Sequence, residues 1–219
     1  MTLQQSKLQK PIALFNNIYF GKRVLITGHT GFKGSWLALW LHQLGADVAG
    51  YSVDIPCTPS NFDLLQLKDK IRHYVGDIKD KNKLDQVFDE FKPQIVFHLA
   101  AQALVRKSYD DPISTFETNT LGMVNLLECI RKRPWVEVAV LITSDKAYRN
   151  VEWCWGYRET DALGGHDPYS ASKSCAEFVA HSYFHSFFSN SPTRIATTRA
   201  GNVIGGGDWA KDRLVPDFI

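Results

Sequence analysis

The chain has 219 residues, 44% of them hydrophobic and 22% charged, with a formal net charge of +2. That length holds one α/β domain with a real core, and the composition excludes disordered, fibrous and membrane classes. No block of like charge and no basic stripe with interleaved aromatics signals a nucleic acid or a membrane surface.

Residues 1–20 read as a polar N-terminal arm without the apolar core or cleavage site of a signal peptide, so a cytoplasmic protein is expected. Lys22 to Thr27 form an apolar β-branched run ended by Gly28, the pattern of a buried strand. A helix is predicted from about Phe32, with Leu37, Trp40, Leu41 and Leu44 on its sheet-facing side and Gly45 as its stop. Strands follow at 46–52 and 71–75, a helix near 80–91, and a strand at 94–100. A long helix at about 112–131, a strand at 136–143, a helix at about 169–188 and a strand at 194–199 complete the series. This alternation implies right-handed crossovers and a doubly wound parallel sheet in the order 3-2-1-4-5-6, a Rossmann-type α/β fold filling residues 21–219. Cys57, Cys129, Cys154 and Cys175 include no CxxC pair, which fits reduced thiols and predicts neither a disulfide framework nor a metal site.

Between the first strand and helix lies Gly28-His-Thr30-Gly31-Phe32-Lys33-Gly34. Small residues there let the backbone turn tightly and bring a diphosphate to the positive helix N-terminus. The spacing is GxxGxxG, and its place after the first strand of a repeating β/α pattern points to a dinucleotide. Asp54 follows the second strand, where a carboxylate can accept from ribose hydroxyls; with no arginine beside it, NAD is expected over NADP. A plain turn residue is the other reading of Asp54. Asp77 and Ile78 close the third strand and are candidates for the adenine, with Asp77 equally readable as a helix N-cap.

Tyr169 and Lys173 stand four apart at a helix start, so phenol and ammonium share a face. A nearby cation favours phenolate, which would let Tyr169 take a proton from a sugar hydroxyl. The motif alone is also the spacing of a solvated helix pair. Ser144, Asp145 and Lys146 follow the strand at 136–143, at the carboxyl end where open α/β sheets bind ligands. Ser144 can hold the same hydroxyl, Asp145 is a candidate acid, and Lys146 a candidate base or positioning charge; turn chemistry is the alternative for the last two.

The glycine triplet, Ser144 and Tyr169-x-x-x-Lys173 in this order resemble the extended short-chain dehydrogenase/reductase family from about Gly21 onward. TGHTGFKGSWLALWL, HLAAQALVRKSYDDP, TSDKAY, GGHDPYSASK and RAGNVIGGGDW narrow the resemblance to its CDP-glucose 4,6-dehydratase branch. The resemblance implies an NAD-dependent lyase that converts CDP-glucose to the 4-keto-6-deoxy sugar nucleotide and water, with NAD regenerated. By it Tyr169 and Lys173 also meet the cofactor, Leu99, Ala100 and Ala101 line the cofactor site, and His98 and Gln102 line the pocket. Asn119 braces the site or meets the substrate, and Arg199 and Asn202 approach the sugar nucleotide. His98 is equally a satisfied strand-end histidine, and Trp153, Trp155 and Tyr157 read first as packing residues. Where the dTDP-glucose branch has a glutamate this chain has Lys146, which to act as a base must be neutral through burial or neighbouring positive charge.

The resemblance also implies a homodimer through the helices at 112–131 and 169–188, with Met123, Leu126, Leu127 and Ile130 as one candidate stripe, which the sheet also needs. It further implies a smaller substrate domain beyond RLVPDFI, without which NAD binding with weak or no turnover is expected. A nucleotide-sugar 4-epimerase, which needs no acid for a leaving hydroxyl, and a non-catalytic NAD-binding module are the alternative readings.

Overall fold

The structure, a computed structural model, describes residues 14–210 and 216–218. Most of the N-terminal arm (1–13), and 213–215 and 219 of the closing RLVPDFI, lie outside the described residues.

Six strands, β1 (Arg23–Thr27), β2 (Asp47–Ser52), β3 (Arg72–Val75), β4 (Ile95–His98), β5 (Val138–Ile142) and β6 (Arg194–Thr198), form one sheet in the order β3-β2-β1-β4-β5-β6. Every neighbouring pair is parallel. The sheet order predicted from the alternation is the one observed. Side chains alternate across each strand, and β1 shows the result: Leu25 faces one core, Val24 and Ile26 the other. The first core joins Leu25, Ala49, Val96 and Leu141 to α3 (Lys81–Phe91) and to two long helical segments. The second packs Val24, Ile26 and Val48 against α1 (Phe32–Gln43) and the short α2 (Asn61–Leu64).

The face of α1 differs from expectation. Gly34, Ser35, Ala38 and Leu41 are buried, with Leu44 just beyond, whereas Trp40 is 45% exposed and meets the Phe15 ring at 5.5 Å. Small residues face the sheet because the helix start lies almost against β1: a Cβ on Gly34 would sit 2.1 Å from the Gly28 carbonyl oxygen. Helices this close turn their bulky side chains aside. Gly45, at φ +82°, ends the helix as expected.

A helix absent from the sequence reading, α4 (Val105–Asp110), precedes the predicted long one. That long helix is split into α5 (Pro112–Phe116), a π turn (Glu117–Leu121) and α6 (Gly122–Arg131). The last helix, α7 (Pro168–Tyr183), likewise runs into a π turn at Phe184–Phe188. Met123, Leu126, Leu127 and Ile130 are at most 2% exposed and belong to the core under the sheet, so they are no outward stripe. The outward residues are Ile113 and Leu121, 72% and 57% exposed, which with Pro112, Phe116 and Thr120 line a shallow apolar cleft. Among the described residues no helix is long and apolar enough to cross a membrane.

Candidate active site

Three of the predicted glycines have distinct roles. Gly28 leaves β1 at φ +78°, and a Cβ there would lie 2.6 Å from the Ala100 backbone nitrogen. Gly34 meets the Gly28 carbonyl, as above. Gly31 caps α1 without a side chain, so none accepts from the N–H groups of the first turn, which contains no acidic residue. These N–H groups and the helix dipole suit an anion. Phe32 opens the helix half-buried and Lys33 is exposed beside it. The Thr30 hydroxyl donates to the Asp54 carbonyl at 2.5 Å, tying the glycine loop to the end of β2 and leaving the Asp54 carboxylate exposed.

On the third strand the alternatives separate. Asp77 accepts from its neighbour Lys79 N–H at 2.9 Å, while Asp80 is the N-cap of α3, accepting from Lys83 N–H at 3.1 Å. Asp77 is therefore no helix cap. Ile78 is 4% exposed and packs in the core near Gly122.

Around the end of β4, Leu99, Ala100 and Ala101 are half-buried. His98 lies in the core with Nδ1 2.7 Å from the Thr27 hydroxyl, and burial with the nearby Lys173 charge holds its pKa at about 3. It is a satisfied, neutral strand-end histidine. Gln102 and Asn119 share one hydrogen-bond network. The Asn119 amide accepts from Gln102 N–H at 2.8 Å and donates to the Gln102 carbonyl at 3.0 Å and to Ser172 Oγ at 2.8 Å. The Gln102 side chain donates to the Leu104 carbonyl and Thr115 Oγ1 at 3.0 Å each. Both residues brace the site, the role expected of Asn119. The π turn carrying Asn119 aims it at α7.

At the end of β5, Ser144 is 7% exposed and its hydroxyl donates to Asp145 Oδ1 at 3.0 Å. Asp145 and Lys146 are exposed, so burial, one of the two conditions for a neutral Lys146, is not met in this chain. The turn that holds them packs on α7, where Ser174 Oγ donates to the Ala147 carbonyl at 2.9 Å. Asp167 caps α7 by accepting from Ser170 N–H at 2.9 Å, and Ser108 of the unforeseen α4 accepts from Tyr169 N–H at 3.1 Å. Tyr169 and Lys173 are 8% and 7% exposed, far from the solvated pair that chance spacing would give. Lys173 Nζ donates to the Ile142 carbonyl at 3.5 Å. Burial, then the charge of Lys33, lowers its amine to about 8, with Glu177 pulling the other way.

Past β6, Asn202 is exposed, as a ligand contact requires. Arg199 pairs with buried Glu177 at 2.9 Å and lies 4.8 Å over the Tyr148 ring. Tyr157 stacks on Tyr148 with centroids 5.0 Å apart, and Trp153 meets Tyr157 at 5.4 Å, so these two pack as read; Trp155 is 71% exposed. Among the described residues, two buried clusters near this site escaped the sequence reading. One is Glu177 with its partners, whose signal was a carboxylate four residues past Lys173. The other is His29, whose Nε2 lies 2.7 Å from His73 Nδ1 and Nδ1 2.9 Å from Ser52 Oγ; burial, then His73, lowers it to about 3. No pattern in the chain predicted that contact, because it joins the glycine loop to β3.

Residues 25–202 match a family model described as GDP-mannose 4,6 dehydratase. The chain is 54% identical over 208 residues to CDP-glucose 4,6-dehydratase of Salmonella typhimurium, covering 93% of this chain and 58% of that protein. Among solved structures, DesIV, a dTDP-glucose 4,6-dehydratase from Streptomyces venezuelae with NAD bound, superposes with a TM-score of 0.79 at 26% identity, over 90% of this chain and 60% of that one. UDP-glucose 4-epimerase of Thermus thermophilus in complex with NAD gives 0.75 at 32% identity, over 87% and 58%. The chain thus spans less than two thirds of the length of each of these relatives.

Proposed function

The chain belongs to the GDP-mannose 4,6 dehydratase family, and from that premise we propose that it serves a cytoplasmic, NAD-dependent nucleotide-sugar 4,6-dehydratase acting on CDP-glucose. The observation that carries this reading is the buried Tyr169 and Lys173 on a helix packed against the turn that holds Ser144 and Asp145. The nucleotide preference follows the 54% identity to the Salmonella enzyme, and the four free cysteines suit a reducing compartment.

The glycine loop fits NAD: its glycines bring backbone to backbone, its helix N-terminus lacks an acid and a side-chain cap, and the Asp54 carboxylate stands open at the end of β2. Gly28, Thr30, Gly31, Phe32, Lys33, Gly34 and Asp54 would hold it. Bound there, NAD would supply the hydride acceptor for the sugar carbon that becomes the ketone and the hydride that C6 needs once water has left, with a proton returned to C5.

Tyr169 takes the proton of the sugar 4-hydroxyl as that carbon becomes a ketone, and Ser144 holds the oxygen by its own hydroxyl. Lys173, charged below pH about 8, stabilises the phenolate and is kept in place by the β5 backbone. The ketone acidifies the adjacent carbon, whose proton a base removes; Lys146, exposed beside Asp145, is the candidate for that base or for a positioning charge. Asp145 gives a proton to the departing 6-hydroxyl, which leaves as water. An epimerase has no use for that acid, and Asp145 stands exposed beside Ser144 where a leaving group can reach it.

The active form is a homodimer whose subunits meet through the outward face of α5 and the π turn, where Ile113, Phe116 and Leu121 form an apolar cleft. Incubating the purified chain with NAD and CDP-glucose, followed by mass spectrometry, tests the activity. The expected product has lost one water without accumulation of NADH. A product of unchanged mass would favour the epimerase, and robust conversion by this chain alone would overturn the expectation that it binds NAD with weak or no turnover.

A further inference from the structure

Glu177 is a buried charged group to which the chemistry above gives no part. It lies on α7, four residues after Lys173 and eight after Tyr169, so the three side chains share one side of the helix. A carboxylate only 4% exposed needs partners, and both its oxygens have them. Oε1 accepts from the Thr143 hydroxyl; Oε2 accepts from the Thr197 hydroxyl at 3.1 Å and from Arg199 Nη2 at 2.9 Å. The Thr198 carbonyl also lies 3.0 Å from the Thr143 hydroxyl, but the carboxylate is the nearer and charged acceptor, so the hydroxyl proton goes to it.

The donors come from the carboxyl ends of two strands. Thr143 directly precedes Ser144. Arg199 directly precedes Ala200, whose carbonyl accepts Asp145 N–H at 3.1 Å. Arg199 is held on its far side by the Tyr148 ring and by the Glu159 carbonyl, to which Nη1 donates at 3.2 Å. One carboxylate therefore ties the helix of Tyr169 and Lys173 to the strand ends that set Ser144 and Asp145.

We propose that Glu177 is the positioning residue of this site, clamping the ends of β5 and β6 onto α7 and presenting a fixed negative charge to Lys173. The proposal rests on the reading of Tyr169 and Lys173 as the proton-transfer pair. The other groups facing Lys173 are Lys33 from α1, His98 from β4 and Tyr169 from its own helix, with Arg199 beyond Glu177. Lys33 disfavours the ammonium and His98 is neutral, so Glu177 is the carboxylate that opposes burial.

Removing a fixed negative charge lowers the pKa of a neighbouring amine, and removing a positive one raises it. Lys173 is to be titrated by NMR in the full chain labelled with 13C-lysine, its signal assigned by Lys173→Arg. The parent midpoint should fall near 8. Glu177→Gln should lower it by about one pH unit, Glu177→Asp should leave it near the parent value, and Arg199→Gln should raise it. Amide exchange at Thr143 and Asp145 should quicken in Glu177→Gln and stay slow in Glu177→Asp. A midpoint unmoved by Glu177→Gln overturns the proposal, as does one unmoved or lowered by Arg199→Gln, which decides the matter if Glu177→Gln does not fold. Neither readout needs turnover or bound NAD, so failure here is distinct from failure of the dehydratase assay.

Discussion

At the scale of single residues, the pattern of hydroxyl, phenol and ammonium was readable because its members sit at fixed offsets on one strand end and one helix start. What those side chains touch was not. His29 and His98 illustrate this, since each is neutral through burial among residues distant in the chain. Their folded pKa values, about 3, lie below the ordinary 6.5. An unfolded chain therefore binds protons that the folded one refuses as pH falls from 6.5 toward 3. Their contribution to stability is full above that window and lost on descending through it. Urea unfolding at pH 5 should accordingly show roughly 2 kcal/mol less stability per histidine than at pH 7. His73, also lowered by burial, adds with the same sign. Asp85, depressed to about 2 beside Lys81 and Arg133, acts only below about pH 4, so it does not enter that comparison. Equal stability at the two pH values would mean that one or both rings are charged or solvated in the folded chain.

At the scale of elements, the strand order follows from runs of β-branched residues alternating with helical stretches and was legible throughout, whereas the helix α4 was not. The orientation of α1 was not, because apolar spacing selected Trp40 while the close approach of helix to strand selected glycine, serine and alanine. Two substitutions separate these effects. Gly34→Ala places a Cβ 2.1 Å from a backbone oxygen that cannot yield, and should cost about 1–3 kcal/mol in thermal or urea unfolding. Gly31→Ala meets the same oxygen at 3.4 Å, an ordinary contact, and should leave stability nearly unchanged while weakening NAD binding measured by calorimetry. Equal destabilisation by both would show that the helix start is not packed as described. The π turn at Glu117–Leu121 was equally invisible in the sequence, since helical periodicity continues through it, yet it aims Asn119 at Ser172.

At the scale of the whole molecule, the apolar stripe of α6 had two possible destinations, a partner subunit or the chain's own sheet. Its four residues are buried under the sheet, which moves the candidate contact to α5 and the following π turn. Ile113→Glu combined with Leu121→Glu should convert a dimer to monomers in sedimentation velocity with little change in unfolding temperature, because both side chains are mostly exposed. A parent chain that sediments as a monomer would sink that interface. The Arg133 clamp, by contrast, is internal: its guanidinium bonds Asp85 at 2.7 Å and Asp89 at 2.8 Å, holding α3 to the end of α6.

The sequence by itself determined the order of the strands, the glycine loop and the positions of Ser144, Asp145, Tyr169 and Lys173. Those follow from local periodicity, from turn chemistry and from spacings along one element. Only the tertiary structure decided that Gln102 and Asn119 brace each other, that Ile78 is core, and that Arg199 answers Glu177. A buried polar group must find its partner wherever the packed chain offers one, and in a parallel sheet that partner comes from a strand or helix far away in sequence.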